Sequence, residues 1–140
     1  MSIEFTENPE GINWEQLSVV FGRAPLGNRD PVKLRETFQN SAIRCFVWDG
    51  KELIGTGRAI TDGVRYSAIF DVVLLPEYQG RGIGKQIMNF LAERSKAPAF
   101  LLYAAPGREG FYAKLGYRRM KTAMAKFSNP EAQEKAGYIE

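Results

Sequence analysis

Apolar and polar positions along the chain fall into short blocks whose period changes several times. Residues 3–6 alternate as a strand does. Trp14, Leu17, Val20 and Phe21 then recur at helical spacing over 14–22, with Asn13 placed to cap the first turn. After a loop at 23–30, Asp30-Pro31 opens a second helix, an acidic cap followed by proline at the first helical position. That helix reaches about Asn40 and carries Leu34 and Phe38. The period then drops to two. Residues 42–48 and 52–61 read as strands joined at Asp49-Gly50, a tight-turn signal, and Asp62-Gly63 leads into a third strand over 64–75. Pro76 ends it, because proline cannot donate to a ladder. From Gly82 to about Ser95, Ile83, Ile87, Phe90 and Leu91 share one helical face. Residues 99–105 are wholly apolar and suit a central strand covered on both faces. A short helix at 108–115 stops at Gly116, and 117–127 reads as the last strand.

Strand 64–75, the helix after it and strand 99–105 form a crossover unit, so those two strands should run parallel. The expected fold is α+β (mixed α/β), an antiparallel sheet continuing into a parallel pair and flanked by about four helices. One domain is expected over 1–127, with a polar tail at 128–140.

Composition narrows the chemistry. The 140 residues include no histidine. That removes serine–histidine and cysteine–histidine catalysis and histidine-ligated zinc, and no metal is expected. Proton transfer falls to Asp, Glu, Tyr, Lys, Cys, a terminus or water. Cys45 is alone in an apolar run and reads as a buried small hydrophobe. Net charge is +3, but Lys and Arg are scattered, with only Arg118, Arg119 and Lys121 close together. An anionic small ligand explains this excess without nucleic acid. No apolar run approaches the ~20 residues of a membrane helix, and the first residues lack a basic-then-apolar leader, so a cytoplasmic setting is expected.

One segment concentrates chemistry: Gln79-Gly80-Arg81-Gly82-Ile83-Gly84-Lys85, at a strand-to-helix junction. Glycines let a ligand approach the backbone, and the helix-opening N–H groups have no internal partners. Together they make an anion site suited to phosphate, with Arg81 and Lys85 adding charge. The spacing is neither a Walker A loop nor a GxGxxG fingerprint.

Gln79-x-x-Gly82-x-Gly84 matches the [Q/R]-x-x-G-x-[G/A] motif of the GNAT superfamily of N-acetyltransferases. The stretch from Asp71 to Gly84 resembles that family's strand and loop. Gly110-Phe111-Tyr112-Ala113-Lys114-Leu115-Gly116-Tyr117 looks like its FYxKxGF element. The resemblance implies acetyl-CoA as co-substrate, lying in a split between strands 64–75 and 99–105. The backbone of Val73, Leu74 and Leu75 would pair with the pantetheine arm, and the N–H groups of Gln79, Gly80, Arg81, Gly82, Ile83, Gly84 and Lys85 would hold the pyrophosphate. It also implies Tyr112 as the acid for the leaving thiolate and a backbone N–H near Val73 or Leu74 as the oxyanion donor, freed by a β-bulge. Asp71 is the first candidate for base or water-orienter, since burial in an apolar run makes a carboxylate a better proton acceptor. It shares a side with Val73 if no bulge intervenes. Tyr66, Tyr103 and water are the alternatives. Trp14, Phe21 and Phe38 either line the acceptor pocket or are core. The wording resembles the subgroup containing aralkylamine N-acetyltransferases, which points to a primary amine on a small molecule and no covalent enzyme intermediate. A protein amine, a non-catalytic acyl-CoA-binding module and a homodimer stay open.

Overall fold

In the computed structural model, which describes residues 1–140, helices begin where short polar side chains precede apolar periods. Asn13 accepts from the Gln16 N–H at 3.0 Å and starts α1 (Trp14–Arg23). Asp30 accepts from the Lys33 N–H at 3.3 Å and starts α2 (Pro31–Gln39). Both caps supply an acceptor that the first turn lacks.

The sheet runs β1 (Ile3–Thr6), β2 (Ile43–Asp49), β3 (Glu52–Thr61), β4 (Tyr66–Leu74) and β5 (Ala99–Leu101), in spatial order equal to chain order. The first four are antiparallel and β4–β5 is parallel, joined through α3 (Ile83–Arg94). β4 begins two residues later than the turn signal suggests. The Asp62 carboxylate accepts from the N–H groups of Val64, Arg65 and Tyr66, which holds that stretch as a turn.

Alternate residues of the sheet feed two helical layers. Phe46 packs against Phe38 and Trp14, with ring centroids 5.6 and 6.0 Å away. Its neighbour Cys45 pairs with Gly57, which lies under α3. A Cβ on Gly57 would sit 2.8 Å from Ile87 Cγ2 and 3.2 Å from Leu91 Cδ1, so only glycine lets α3 come this close. Phe21 and Phe38 are fully buried, so the choice left open for them falls to core.

These elements belong to one compact unit, Met1–Leu102; a second comprises Tyr103–Glu140. The second unit holds α4 (Glu109–Ala113) and α5 (Pro130–Lys135), so part of the expected polar tail is helical. Gly116, at φ 94°, closes α4, and the Tyr117 N–H reaches the Tyr112 carbonyl at 3.1 Å. Tyr103 meets Phe127 and Tyr138 edge-on.

Two expectations are corrected. Residues 117–127 are not a strand. Positions 118–126 are all exposed, showing no buried alternate face, and their unit contains no strand to pair with. The apolar run at 99–105 forms a strand only over Ala99–Leu101, and that strand is the sheet's edge rather than its centre.

Gly57→Val should lower stability by roughly 1–3 kcal/mol, the usual cost of overpacking a core, read as a lower denaturation midpoint.

Candidate functional site

β5 pairs only with the first third of β4. Its register is Tyr66↔Ala99, Ser67↔Phe100 and Ala68↔Leu101. Beyond Ala68, β4 runs on to Leu74 with β3 on one side and no strand on the other. This leaves an open edge along the second part of β4.

Backbone direction along that edge is set by a bulge. Arg58 pairs with Phe70 and Thr56 with Val73, so Gly57 alone stands opposite Asp71 and Val72. Asp71 has φ 57°, the one non-glycine residue with positive φ. A left-handed residue of this kind costs on the order of 1 kcal/mol, least for Asp and Asn. The extra residue changes the parity of the strand. Before it, the Asp62 N–H bonds the Tyr66 carbonyl at 3.3 Å, which puts Tyr66, Ala68 and Phe70 in the frame facing β3. After it, the Leu75 N–H bonds the Ile54 carbonyl at 2.9 Å, so Val73 and Leu75 face β3. Leu74 therefore turns its N–H and C=O to the other edge, and Gln79 Nε2 donates to that carbonyl at 2.9 Å. The bulge lies at Asp71–Val72, just before the expected Val73 or Leu74. It also removes the two-residue spacing that would have set Asp71 on Val73's side.

Asp71 is not alone in the apolar run. Arg58 Nε donates to one carboxylate oxygen at 2.8 Å and Arg29 lies 3.1 Å from the other. The Asp71 and Arg58 side chains are 11% and 14% exposed, so the pair is nearly dry. Removing one partner from such a pair typically costs roughly 3–5 kcal/mol. Neither arginine was anticipated. The available signal for Arg58 was a cation inside an apolar strand next to one carrying an isolated acid; nothing in the sequence marks Arg29.

The loop after β4 starts as a 3-10 turn, Pro76–Tyr78, and is tied down on two sides. Arg23 donates to both Glu77 oxygens at 2.9 and 2.7 Å. The Tyr78 hydroxyl donates to Asp49 at 2.6 Å. The hydrogen bond with Tyr78 lowers the pKa of Asp49, and the bond from Arg23 lowers that of Glu77. Tyr78 is pushed up to about 12, chiefly by its bond to Asp49. Gly80 and Gly82 have φ 79° and 83°. Gly82 caps α3 without a side chain, and the first bond into the helix is Gln86 N–H to its carbonyl at 3.2 Å. The N–H groups of Ile83, Gly84 and Lys85 thus precede the helix's own ladder at the positive end of its dipole. Gly80, Arg81, Gly82 and Lys85 are exposed. The Ile83 side chain is buried in the core, so Ile83 offers the loop only its backbone.

Tyr112 belongs to the second unit, half-buried against Phe111 and Tyr117. Burial raises its pKa, which favours a hydroxyl that keeps its proton at neutral pH. Burial also pushes the Cys45 thiol up to about 12. That leaves it neutral and a poor nucleophile. No group of three or more His, Cys, Asp or Glu side chains could hold a metal, and no helix is long and apolar enough to cross a membrane.

A strand whose edge is left open, a bulge and an uncapped glycine-rich helix start form one continuous stretch of chain. The family model described as the acetyltransferase (GNAT) domain matches residues 41–119, more than half the chain and all of this stretch. The chain belongs to the GNAT acetyltransferase family. Among its relatives, GCN5-related N-acetyltransferase 1, chloroplastic, of Arabidopsis thaliana is 34% identical over 113 residues, covering 77% of this GNAT chain and 57% of its own length. Serotonin N-acetyltransferase 2, chloroplastic, of Oryza sativa subsp. japonica is 32% identical over 117 residues, covering 76% and 57%. This GNAT chain therefore spans a little under three-fifths of the length of those two relatives. Among solved structures, a probable acetyltransferase from meticillin-resistant Staphylococcus aureus superposes with a TM-score of 0.77 at 20% identity, over 91% of this chain and 98% of that one.

The loop tethers carry pH dependence. Asp49 and Glu77 titrate lower when folded. Their stabilisation is complete above the ordinary carboxylate range of about 4 and is lost as pH falls through the lowered values. Tyr78 acts in the opposite sense: its contribution is complete below ~10 and is lost as pH rises toward about 12. Tyr78→Phe should flatten the alkaline loss and soften the acid one, measured by urea unfolding across pH.

Proposed function

We propose that this GNAT chain transfers an acetyl group from acetyl-CoA to the primary amine of a small molecule by direct attack. The observation that carries the reading is the edge of β4 beyond β5, which leads straight into an uncapped helix start. An extended amide-bearing arm with a pyrophosphate at one end complements both parts. Its amides would take the place of a strand along the open edge at Leu74, since Val73 and Leu75 face β3. Its phosphates would meet the N–H groups from Gly80 to Lys85, since the Gln79 N–H is held by the Pro76 carbonyl at 3.2 Å. Arg81 and Lys85 add positive charge beside those phosphates.

In the reaction the neutral amine nitrogen attacks the thioester carbonyl, the C–S bond breaks, and the thiolate takes a proton. The Leu74 N–H, turned to the open edge by the bulge, is the proposed oxyanion donor. Tyr112 is the proposed acid, supported by its place in the Phe111-Tyr112 motif and by burial that keeps it protonated. Both Asp71 oxygens are already held by arginines, so the amine's proton is assigned to water rather than to this carboxylate. A small aromatic amine is favoured because one relative is named for serotonin acetylation. A reducing aqueous compartment suits the single buried thiol. The relatives named chloroplastic make a plastid as suitable as the expected cytoplasm.

With serotonin as acceptor, acetyl-CoA should support thiol release and should raise the melting temperature without the amine. Tyr112→Phe should lower kcat by roughly 10²–10⁴, the range for loss of a positioned acid, with CoA affinity nearly unchanged. Full activity of Tyr112→Phe at every pH would remove Tyr112 from the mechanism. CoA binding without turnover over a broad amine panel would identify a non-catalytic acyl-CoA module instead. Gly82→Val should weaken CoA binding by about tenfold, because a β-branched residue cannot cheaply hold the positive φ; calorimetric titration with CoA measures it.

A further inference from the structure

The geometry points to Arg29 and Arg58 as positioning residues: their joint grip on Asp71 holds the bulge that aims Leu74 at the open edge. This deepens the acetyl-transfer reading and rests on it. The parity of β4 changes only because Asp71 holds a left-handed backbone, and Asp71 is the one non-glycine residue in the chain that does so. Its two carboxylate oxygens go to two different guanidinium groups, from Arg58 on β3 and Arg29 in the α1–α2 loop. Each guanidinium is itself fixed. That of Arg58 stacks 4.9 Å over Phe70 and reaches Ser41 Oγ at 3.3 Å. That of Arg29 lies 4.5 Å over the Phe21 ring, and the Arg29 carbonyl accepts from Ser18 Oγ at 2.5 Å. Beneath the bulge, the missing side chain of Gly57 gives Val72 and Ile87 their room. The Asp71 side chain is thus gripped from the neighbouring strand and from the helical layer, and its left-handed φ follows from that grip. The α1–α2 loop is coupled to the bulge through the same carboxylate.

This assignment separates two jobs that one carboxylate can perform. If Asp71 acts through its backbone shape, glycine should replace it well, since glycine takes positive φ freely. If it acts through its oxygens on water or amine, glycine and alanine should fail alike. The test measures kcat for acetyl-CoA-dependent thiol release with serotonin, and separately amide hydrogen exchange at Val73 and Leu75, which face β3 after the bulge, in the ligand-free protein. Asp71→Ala should lower kcat by roughly 100-fold, the loss of one oxyanion donor, and should speed exchange at those amides. Asp71→Gly should keep kcat within about fivefold of the unaltered chain and keep exchange slow. Arg58→Met should resemble Asp71→Ala on its own and should add nothing in the Asp71→Gly background; Arg58→Lys, which retains a cation, should fall between. Equal loss of turnover in Asp71→Gly and Asp71→Ala with exchange unchanged would overturn the proposal and give the side chain a direct part in proton transfer. Should the unaltered chain acetylate no amine, the functional reading fails, while the exchange measurements still decide whether the clamp sets the bulge.

Discussion

A strand inside a folded sheet must satisfy its backbone groups on both edges, and β4 meets that demand on only one of them over much of its length. β3 accompanies it throughout, whereas β5 leaves after Ala68. The remaining edge is a row of polar backbone with an orientation, a length and a direction of approach, and such groups are costly to leave unmatched away from water. Most of what is distinctive in the first unit serves to create or finish this edge. Pro76 ends the strand, the 3-10 turn redirects the chain, and Gly82 starts α3 with its amides uncommitted.

The bulge gives the edge its specificity. A two-residue period admits only two choices for which residues face outward, and one inserted residue exchanges them. The exchange would be easy to lose, because a left-handed aspartate has no intrinsic preference for that state. Two guanidinium groups on one buried carboxylate supply the preference. Such a charged cluster stabilises the fold less than apolar packing of equal volume; here its gain is a defined backbone geometry.

Much of this was legible from residue pattern. Asn13, Asp30-Pro31, the Asp-Gly turns and Gly116 act through local chemistry, so their positions alone located helix starts, turns and a helix stop. The glycine loop was equally open to reading, since positive φ and uncapped amides follow from Gly80 and Gly82 themselves. Elements that depend on partners were not. Residues 117–127 have strand-like composition but no strand beside them in their unit, and the run at 99–105 stops pairing at Leu101. The Arg29–Asp71–Arg58 cluster joins residues 42 and 13 positions from the aspartate. No local period carries that information, and the bulge that makes it matter appears only once β3 and β4 are in register.

Cys45 has a practical consequence for the chemistry of the whole molecule. It is the sole thiol, fully buried and held neutral by its surroundings. A folded sample is therefore silent toward disulfide-exchange dyes, which react with thiolate. Any signal in a colorimetric assay of CoA release belongs to product, with no background from the protein. The same reagent becomes a counter of damaged molecules, because each chain that opens contributes one equivalent. Turnover and integrity can be followed in one cuvette.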